Sequence, residues 1–407
     1  MTTTQALPTL LLIALAAVAA PILAELSRRV VPVPEVVIQI LLGILIGPSV
    51  LALTRTTSVV TALSDLGLTY LMFLAGLELD VTRMREGHMS RAVSAWLGSL
   101  VLALGVGAVL HATGLVLDTV VVGLCLTTTA LTTLLPILRD AGVLKSSFGP
   151  AVLSVGAIGE FGPILAVALL LTSHDAGVTI LLLVVFTVVA AAAALLAVRV
   201  HPPRLVAMLG RHLHSSSQLP VRISVTLVVF LVYLATKLSL DVLLGAFAAG
   251  VIVRLFVRAD GDTEQITSKL EAIGFGFLIP IFFIETGVNL DLHALVHRPK
   301  VLLLVPVFAL LFLFTRGVPT AVFFRRILDK AQLTALSILS STALPLVVVI
   351  TTIGVDEHKM KPQNASALVA AGMLSVLVFP ILGLRPLRAR TNPAAEEGAT
   401  PPTTPTG

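Results

Sequence analysis

The stretch PAVLSVGAIGEFGPILAVALLL, residues 150–171, contains one charged residue, Glu160, with ten uncharged residues before it and eleven after it. A helix of this length rises about 1.5 Å per residue and crosses a bilayer, so the carboxyl is predicted near the membrane midplane. An acid there costs roughly 2.5–3.5 kcal/mol on insertion scales and typically marks an ion or proton site. The alternative is a protonated carboxyl that bonds a neighbouring hydroxyl for structural reasons.

Similar apolar runs repeat along the whole chain. Of its 407 residues 57% are hydrophobic and 12% are charged, whereas a soluble domain has about 25% charged residues. The sequence therefore predicts an all-α polytopic membrane protein of about thirteen transmembrane helices. The predicted spans are 8–27, 34–53, 60–79, 91–113, 118–138, 148–172, 177–198, 220–237, 240–257, 270–290, 301–323, 332–353 and 364–384.

The basic residues predict the orientation of these spans. Loops after odd-numbered spans hold 20 of the 27 Lys and Arg residues, and loops after even-numbered spans hold six. This asymmetry predicts a cell-membrane protein with its N-terminus outside and its C-terminus in the cytoplasm. It also explains the net charge of +5 without a nucleic-acid partner. The first residues carry no positive charge, which disfavours a signal peptide.

The sequence gives little indication of a disulfide, a metal site or an enzymatic site. The single cysteine, Cys125, allows no disulfide or thiolate metal cluster. The histidines lack metal-ligand spacing, and no phosphate-binding glycine loop or nucleophile–base pair is evident. We expect no enzyme activity and no cofactor. Residues 391–407 are rich in Pro, Thr and Ala and are predicted to form a disordered cytoplasmic tail after a transmembrane domain over residues 1–390, with no regulatory domain following.

Two short motifs recur in the same order. Gly76–Asp80 is followed 211 residues later by Gly287–Asp291, and Leu126–Leu131 is followed 213 residues later by Leu339–Leu344. The offsets predict two six-helix repeats, about 34–198 and 220–384. Equivalent spans differ by an odd number, so the repeats are predicted to be inverted, as in many secondary transporters.

The second motif carries a hydroxyl triplet at mid-span in each repeat, and a proline follows in the same span. Proline removes a backbone donor, so we predict two discontinuous helices that cross near the midplane and offer hydroxyls and helix ends to an ion. Alternatively, the hydroxyls serve ordinary helix contacts. The predicted ion- or proton-binding hydroxyls are Thr127, Thr128 and Thr129 in the first repeat and Ser340, Ser341 and Thr342 in the second.

Two further charged residues lie inside predicted spans. Arg316 lies in span eleven, and because arginine keeps its proton it needs an anionic or carbonyl partner. It serves either as a fixed counter-charge for a core carboxylate or extends to the cytoplasmic interface. Glu285 lies about five residues from the end of span ten. It is predicted to be either a cavity residue near the interface or a partner for Arg316.

Several segments together resemble the second family of monovalent cation:proton antiporters, which includes the membrane domains of glutathione-regulated potassium-efflux proteins. The resemblance covers about residues 8–386. The segments that carry it are Pro34–Val37, Leu41–Pro48, Phe73–Asp80, Gly274–Phe283 and Ala370–Leu377.

This resemblance implies a sodium/proton-antiporter fold of thirteen helices, a homodimer, and a core that moves by alternating access. The ion-binding acid of the family falls on Glu160, where most members have Asp. The preceding residue is commonly Asp, Asn or Gln and is here Gly159, which removes a possible second carboxylate. The basic residue of the eleventh span falls on Arg316, and the hypothesis is that Glu285 replaces the missing acid as its partner.

The function predicted from sequence is exchange of H+ for Na+ or K+ across the bilayer, with Glu160 as the shared site. One titrating carboxylate predicts one proton per cation. One alternative is an organic-anion transporter on a related inverted-repeat fold, with Arg316 and the hydroxyls as its ligands. A second alternative is a membrane subunit or sensor that keeps the fold without transport.

Overall fold

The computed structural model describes residues 3–27, 33–54, 56–78, 88–170, 188, 218–238, 242–259, 263–290, 292 and 299–391. Within these ranges the regular structure is entirely helical. Eight continuous helical segments are long and apolar enough to cross a membrane, and four shorter apolar segments accompany them. The all-α membrane architecture predicted from composition is confirmed.

The helices are numbered here in chain order over the described residues. The first seven are α1 Thr3–Ser27, α2 Glu35–Ile46, α3 Ser58–Glu78, α4 Met89–Ala112, α5 Thr119–Leu126, α6 Leu131–Asp140 and α7 Gly149–Leu170. The next four are α8 Leu219–Lys237, α9 Val242–Ala259, α10 Thr263–Ile273 and α11 Ile279–Asn289. The last five are α12 Pro299–Phe312, α13 Val318–Phe324, α14 Lys330–Leu339, α15 Pro345–Asp356 and α16 Pro362–Thr391.

Twelve of the thirteen predicted spans overlap these helices. The seventh, 177–198, lies outside the described residues apart from position 188, so the count of thirteen stays a prediction. The predicted tail, from residue 392 onward, is also outside them. Two spans each contain a π-helical turn, Gly274–Leu278 between α10 and α11 and Leu313–Gly317 between α12 and α13. Single π turns inside α-helices are frequent at functional sites.

A first bundle is formed by α1–α3 and α8–α11, which pack on one another. Glycines let its helices approach closely, as is common in membranes. A Cβ at Gly43 of α2 would clash with the backbone of Ile284, and a Cβ at Gly287 of α11 would clash with the backbone of Ile40. These reciprocal contacts fix the α2–α11 pair at backbone distance.

A second bundle is formed by α4–α7 and α12–α16. Its interior contains large apolar side chains such as Phe308, Phe312 and Phe324, each fully buried. One contact between the two bundles is that of α7 with α9. There the ring of Phe161 stacks on Phe247 with centroids 4.8 Å apart, so the residue that follows Glu160 lies at the boundary between the bundles.

Two spans of the second bundle are interrupted midway. The first stops at Leu126 and resumes at Leu131, and the second stops at Leu339 and resumes at Pro345. The two predicted discontinuous helices are therefore confirmed. Pro345 begins α15, where its missing N–H costs no helical hydrogen bond. Pro136 instead lies within α6, so the first interruption precedes its proline by several residues.

Candidate functional site

The two interruptions cross and bond each other. The backbone N–H of Ala130 donates to Thr342 O at 2.7 Å, and Thr129 Oγ1 donates to Ser340 O at 2.6 Å. The backbone N–H of Thr129 donates to Gly159 O of α7 at 2.9 Å. Thr129 therefore joins both discontinuous helices to α7, the helix that carries Glu160.

The six predicted hydroxyl residues are all buried, but they do not share one role. The hydroxyls of Thr127 and Thr128 donate to carbonyls of the last turn of α5, and Ser341 donates to Ser337 O in α14. These three satisfy helix ends, which was the alternative explanation for the triplets. Ser340 Oγ donates to Ser337 O at 3.0 Å and lies 3.3 Å from the hydroxyl of Thr320, within hydrogen-bond distance.

Thr342 differs from the other hydroxyl residues. Its Oγ1 is fully buried and has no hydrogen-bond partner within the described residues. A buried hydroxyl without a partner costs free energy. This oxygen at the crossing is therefore free to accept a further ligand.

Glu160 lies on α7 with 8% of its surface exposed. Its Oε1 accepts a hydrogen bond at 3.2 Å from Thr132 Oγ1. Thr132 is in the first turn of α6, which begins at Leu131. The positive end of a helix dipole favours negative charge, so the first turn of α6 provides a suitable electrostatic environment for this carboxylate.

Arg316 lies in the π turn between α12 and α13 and is 0% exposed. It therefore points into the bundle and does not extend to the membrane interface. Its Nε and Nη2 donate to Thr129 Oγ1 at 3.1 and 2.9 Å. Its Nη1 donates to Ser99 Oγ at 3.3 Å, and Nη2 donates to Val155 O at 3.4 Å.

These hydrogen bonds place Arg316 near the carboxyl ends of two half-helices. Its partner Thr129 donates to Ser340 O, directly after α14, and the neighbouring Thr315 donates to Leu126 O, the last residue of α5. Helix C-termini carry about half a negative charge each and favour cations. The guanidinium therefore offsets the negative helix ends at the crossing, while Glu160 lies at a positive one.

Glycines on α7 make room for this arrangement. A Cβ at Gly159 would lie 2.5 Å from Arg316 Nη2 and nearer still to Thr129 Oγ1. A Cβ at Gly162 would collide with the indole of Trp96. The guanidinium thus occupies the space that a side chain at position 159 would need.

Glu285 lies in the first bundle, whereas Glu160 and Arg316 lie in the second. It is 5% exposed, on α11 of the first bundle, where its Oε1 accepts a hydrogen bond from Thr61 Oγ1 of α3 at 3.0 Å. None of the hydrogen bonds found for Arg316 goes to Glu285. The two side chains belong to separate hydrogen-bonded groups, and the structure does not bring them together as a pair.

Sequence reasoning missed two side chains of the site, Ser99 and Thr132. Both are single hydroxyl residues in apolar helices, a pattern that usually indicates only local bonding to the helix backbone. Thr132 follows the predicted hydroxyl Thr129 by three residues and lies in the first turn of α6. That spacing was the only available signal for Thr132, and Ser99 had none.

A family model described as the transmembrane sodium/hydrogen exchanger matches residues 13–387. A putative Na(+)/H(+) antiporter of Bacillus subtilis, YjbQ, is 27% identical over 91% of this chain and 62% of its own length. An Na(+)/H(+) antiporter of Enterococcus hirae is 23% identical over 90% of this chain and 94% of its own. The Na(+)/H(+)-K(+) antiporter GerN of Bacillus cereus is 28% identical over 68% of this chain and 71% of its own.

The fold is also similar to a solved structure. The sodium proton antiporter MjNhaP1 from Methanocaldococcus jannaschii superposes with a TM-score of 0.64 at 14% identity, covering 91% of this chain and 94% of the other. The antiporter fold expected from the sequence is confirmed, with its two crossed discontinuous helices. The chain spans less than two thirds of the Bacillus subtilis relative. It is a multi-pass membrane protein and belongs to the sodium/hydrogen exchanger family.

Proposed function

We propose that the protein is a secondary antiporter that exchanges H+ for Na+ or K+, with Glu160 as the shared binding site. The observation that carries this proposal is the buried carboxyl of Glu160 beside the crossing of two discontinuous helices. Support comes from relatives named as Na(+)/H(+) and Na(+)/H(+)-K(+) antiporters.

The chemistry of the site suits an alkali cation that replaces a proton. Hard cations prefer oxygen ligands, and the oxygens available here are the Glu160 carboxylate, the Thr132 hydroxyl bonded to it and the unpartnered hydroxyl of Thr342. A carboxylate that has bound a proton is a poor cation ligand, so the two substrates compete for one group. Competition at one site that faces each side in turn couples their fluxes in opposite directions.

The proposed stoichiometry is one proton for one cation. Arg316 keeps a fixed charge, because its nitrogens donate to neutral oxygens and lie beside helix C-termini. Gly159 contributes no second carboxylate. Only Glu160 then changes its charge during the cycle, which makes the exchange electroneutral.

We propose the inverted repeats, the orientation in the membrane and the homodimer that the sequence predicts. The chain would consist of inverted repeats over about 34–198 and 220–384, with the N-terminus outside and the C-terminus in the cytoplasm of the cell. The bundle that carries Glu160 would move against the other bundle, and two copies would form a homodimer in the bilayer. The stacked rings of Phe161 and Phe247 mark the boundary along which this movement would occur.

An organic-anion transporter would need N–H groups of Arg316 that can bind the anion. The guanidinium is fully buried and already donates from each of its three nitrogens. The hydrogen bonds to Thr129, Ser99 and Val155 O use four of its five N–H groups, so an anion could make the usual bidentate contact only by displacing one of these partners. This geometry favours the cation:proton exchanger over the alternative.

The deciding experiment measures Na+-, K+- and Li+-dependent pH changes in proteoliposomes that contain no organic solute. Glu160→Gln keeps the size of the side chain and its hydrogen-bonding capacity but removes the exchangeable charge. We expect this variant to reconstitute normally and to lose cation-dependent proton flux. Glu357→Gln is the control, because Glu357 is exposed at the surface and pairs with Lys359, two residues along the chain, at 2.6 Å. Proton flux at the wild-type level in Glu160→Gln would refute the assignment.

A further inference from the structure

The second interruption, residues 340–344, separates α14 from α15 inside the second bundle. Non-helical backbone at membrane depth is tolerated only where protein or water bonds its N–H and C=O groups. On one side, the first interruption supplies a partner, because the N–H of Ala130 donates to Thr342 O at 2.7 Å. Ala343, the next residue along the chain, is bonded from a different helix.

Ser375 of α16 bonds both backbone groups of Ala343. The N–H of Ala343 donates to Ser375 Oγ at 3.0 Å. The Ser375 hydroxyl is within donating distance of two carbonyl oxygens, Ala343 O at 2.9 Å and Gly372 O of its own helix at 2.7 Å. Both Ser375 and Ala343 are fully buried. Gly372 leaves room for this contact, because a Cβ there would lie 2.8 Å from Ala343 O.

These contacts hold a single peptide unit from two sides. The C=O of Thr342 and the N–H of Ala343 belong to one planar group. Ala130 bonds its carbonyl, and Ser375 bonds its N–H. The orientation of this peptide unit is therefore fixed jointly by the first interruption and by α16.

The fixed peptide unit follows the residue whose hydroxyl is unpartnered. Thr342 Oγ1 is buried and has no hydrogen-bond partner in the part of the chain that the structure describes. Threonine hydroxyls beside a helix usually bond a carbonyl three or four residues earlier, as those of Thr127 and Thr128 do. A peptide unit that is free to rotate would let Thr342 turn to such a carbonyl, and its oxygen would no longer be available to a ligand.

We propose that Ser375 is a positioning residue for the transport site, which presents the Thr342 hydroxyl to the cation by holding the peptide unit after it. This inference rests on the proposed antiport function, in which Thr342 Oγ1 is an oxygen available to Na+ or K+. Loss of the Ser375 hydroxyl leaves the buried N–H of Ala343 without this partner. A buried donor without a partner is costly, so the peptide unit rearranges and the cation loses a ligand.

The test is a double-mutant cycle on the apparent KM for Na+ and for K+, measured as cation-dependent proton flux in proteoliposomes. Thr342→Val deletes the hydroxyl and keeps the shape of the side chain. It should raise KM about five- to tenfold, the effect of one polar contact. Ser375→Ala should raise KM by a similar or smaller factor. Because Ser375 acts through Thr342, the double variant should have the KM of Thr342→Val alone.

Two further variants separate positioning from general damage. Ser375→Cys is close in size but its sulfur is a weaker acceptor, and it takes the place of Ser375→Ala if the alanine variant does not fold. Ser224→Ala is the control, because Ser224 is buried on α8 and donates to Pro220 O of its own helix at 2.9 Å. Its KM should stay at the wild-type value. Thermal unfolding in detergent checks that each variant is folded.

The outcomes distinguish this inference from the function on which it rests. A wild-type protein without cation-dependent proton flux refutes the antiporter. With an active wild type, an unchanged KM in Thr342→Val or in a folded Ser375 variant refutes the role of Ser375. A double variant whose KM shows the product of the two single effects also refutes it, because the residues then act independently. A raised KM in both single variants that rises no further in the double variant supports it.

Discussion

Gly159→Ala tests how tightly the arginine fills the site. The new methyl carbon would lie 2.5 Å from Arg316 Nη2 and 2.6 Å from Thr129 Cβ, whereas ordinary contacts between heavy atoms begin near 3.5 Å. One of these groups would therefore have to move by about 1 Å. Thr129 is bonded to Ser340 O and Gly159 O as well as to the arginine, so neither group can move without losing hydrogen bonds.

The loss of stability in Gly159→Ala is the sum of the cost of overpacking and the cost of a lost hydrogen bond. Overpacking a filled site costs roughly 1–3 kcal/mol, and loss of a hydrogen bond to a charged group costs roughly 1.5–3 kcal/mol. We expect Gly159→Ala to lower the free energy of unfolding by roughly 2.5–6 kcal/mol from these sources together. One kcal/mol lowers Tm by about 2–4 °C in chains of 150–250 residues and by less in longer ones, so the expected drop is about 3–10 °C.

The assay is thermal unfolding in detergent, followed by circular dichroism and by the fluorescence of Trp96, the only tryptophan in the chain. The matched control is Gly105→Ala on α4, because a Cβ at Gly105 meets nothing within 4 Å. That substitution should leave Tm unchanged or raise it slightly, since alanine favours a helix more than glycine does. If Gly159→Ala unfolds at the same temperature as Gly105→Ala, the position assigned to the guanidinium is wrong.

Two further substitutions test the hydrogen bond to the Glu160 carboxylate and the role of the Glu285 carboxylate. Thr132→Val removes the hydroxyl that donates to Glu160, and we expect the apparent KM for Na+ to rise about five- to tenfold, which corresponds to one hydrogen bond of about 1 kcal/mol. Glu285→Gln keeps an oxygen that can accept from Thr61, and we expect transport to fall by less than about tenfold because that cluster belongs to the other bundle.

Each of these predictions has its own control and its own contrary result. For Thr132→Val the control is Thr334→Val, since Thr334 is exposed and its hydroxyl donates to Lys330 O of its own helix. An unchanged KM in Thr132→Val would show that this hydroxyl does not shape the cation site. For Glu285→Gln the comparison is Glu160→Gln in the same vesicles, and an equally inactive Glu285→Gln would move Glu285 into the transport site.

The membrane class, most spans and the two helix interruptions could be predicted from the sequence. Lipid excludes unsatisfied backbone groups, so apolar length alone specifies helices, and the paired hydroxyl motifs around Thr129 and Ser340 identify where two of them stop. Glu160 could be singled out from the sequence as a candidate site residue, because an acid in the middle of an apolar span is costly wherever its helix lies in the fold. These signals are local and need no knowledge of neighbouring helices.

The partners of the charged groups could not be predicted from the sequence. Two carboxylates were candidates for Arg316, but the fold directs this residue to Thr129, Ser99 and Val155 O and places Glu285 against Thr61 in another bundle. A hydrogen bond between residues more than a hundred positions apart depends on helix rotation and crossing, which apolar periodicity leaves undetermined. The sequence by itself determined that an acid lies within the membrane, and only the tertiary structure decided which groups surround it, because packing brings distant helices into contact.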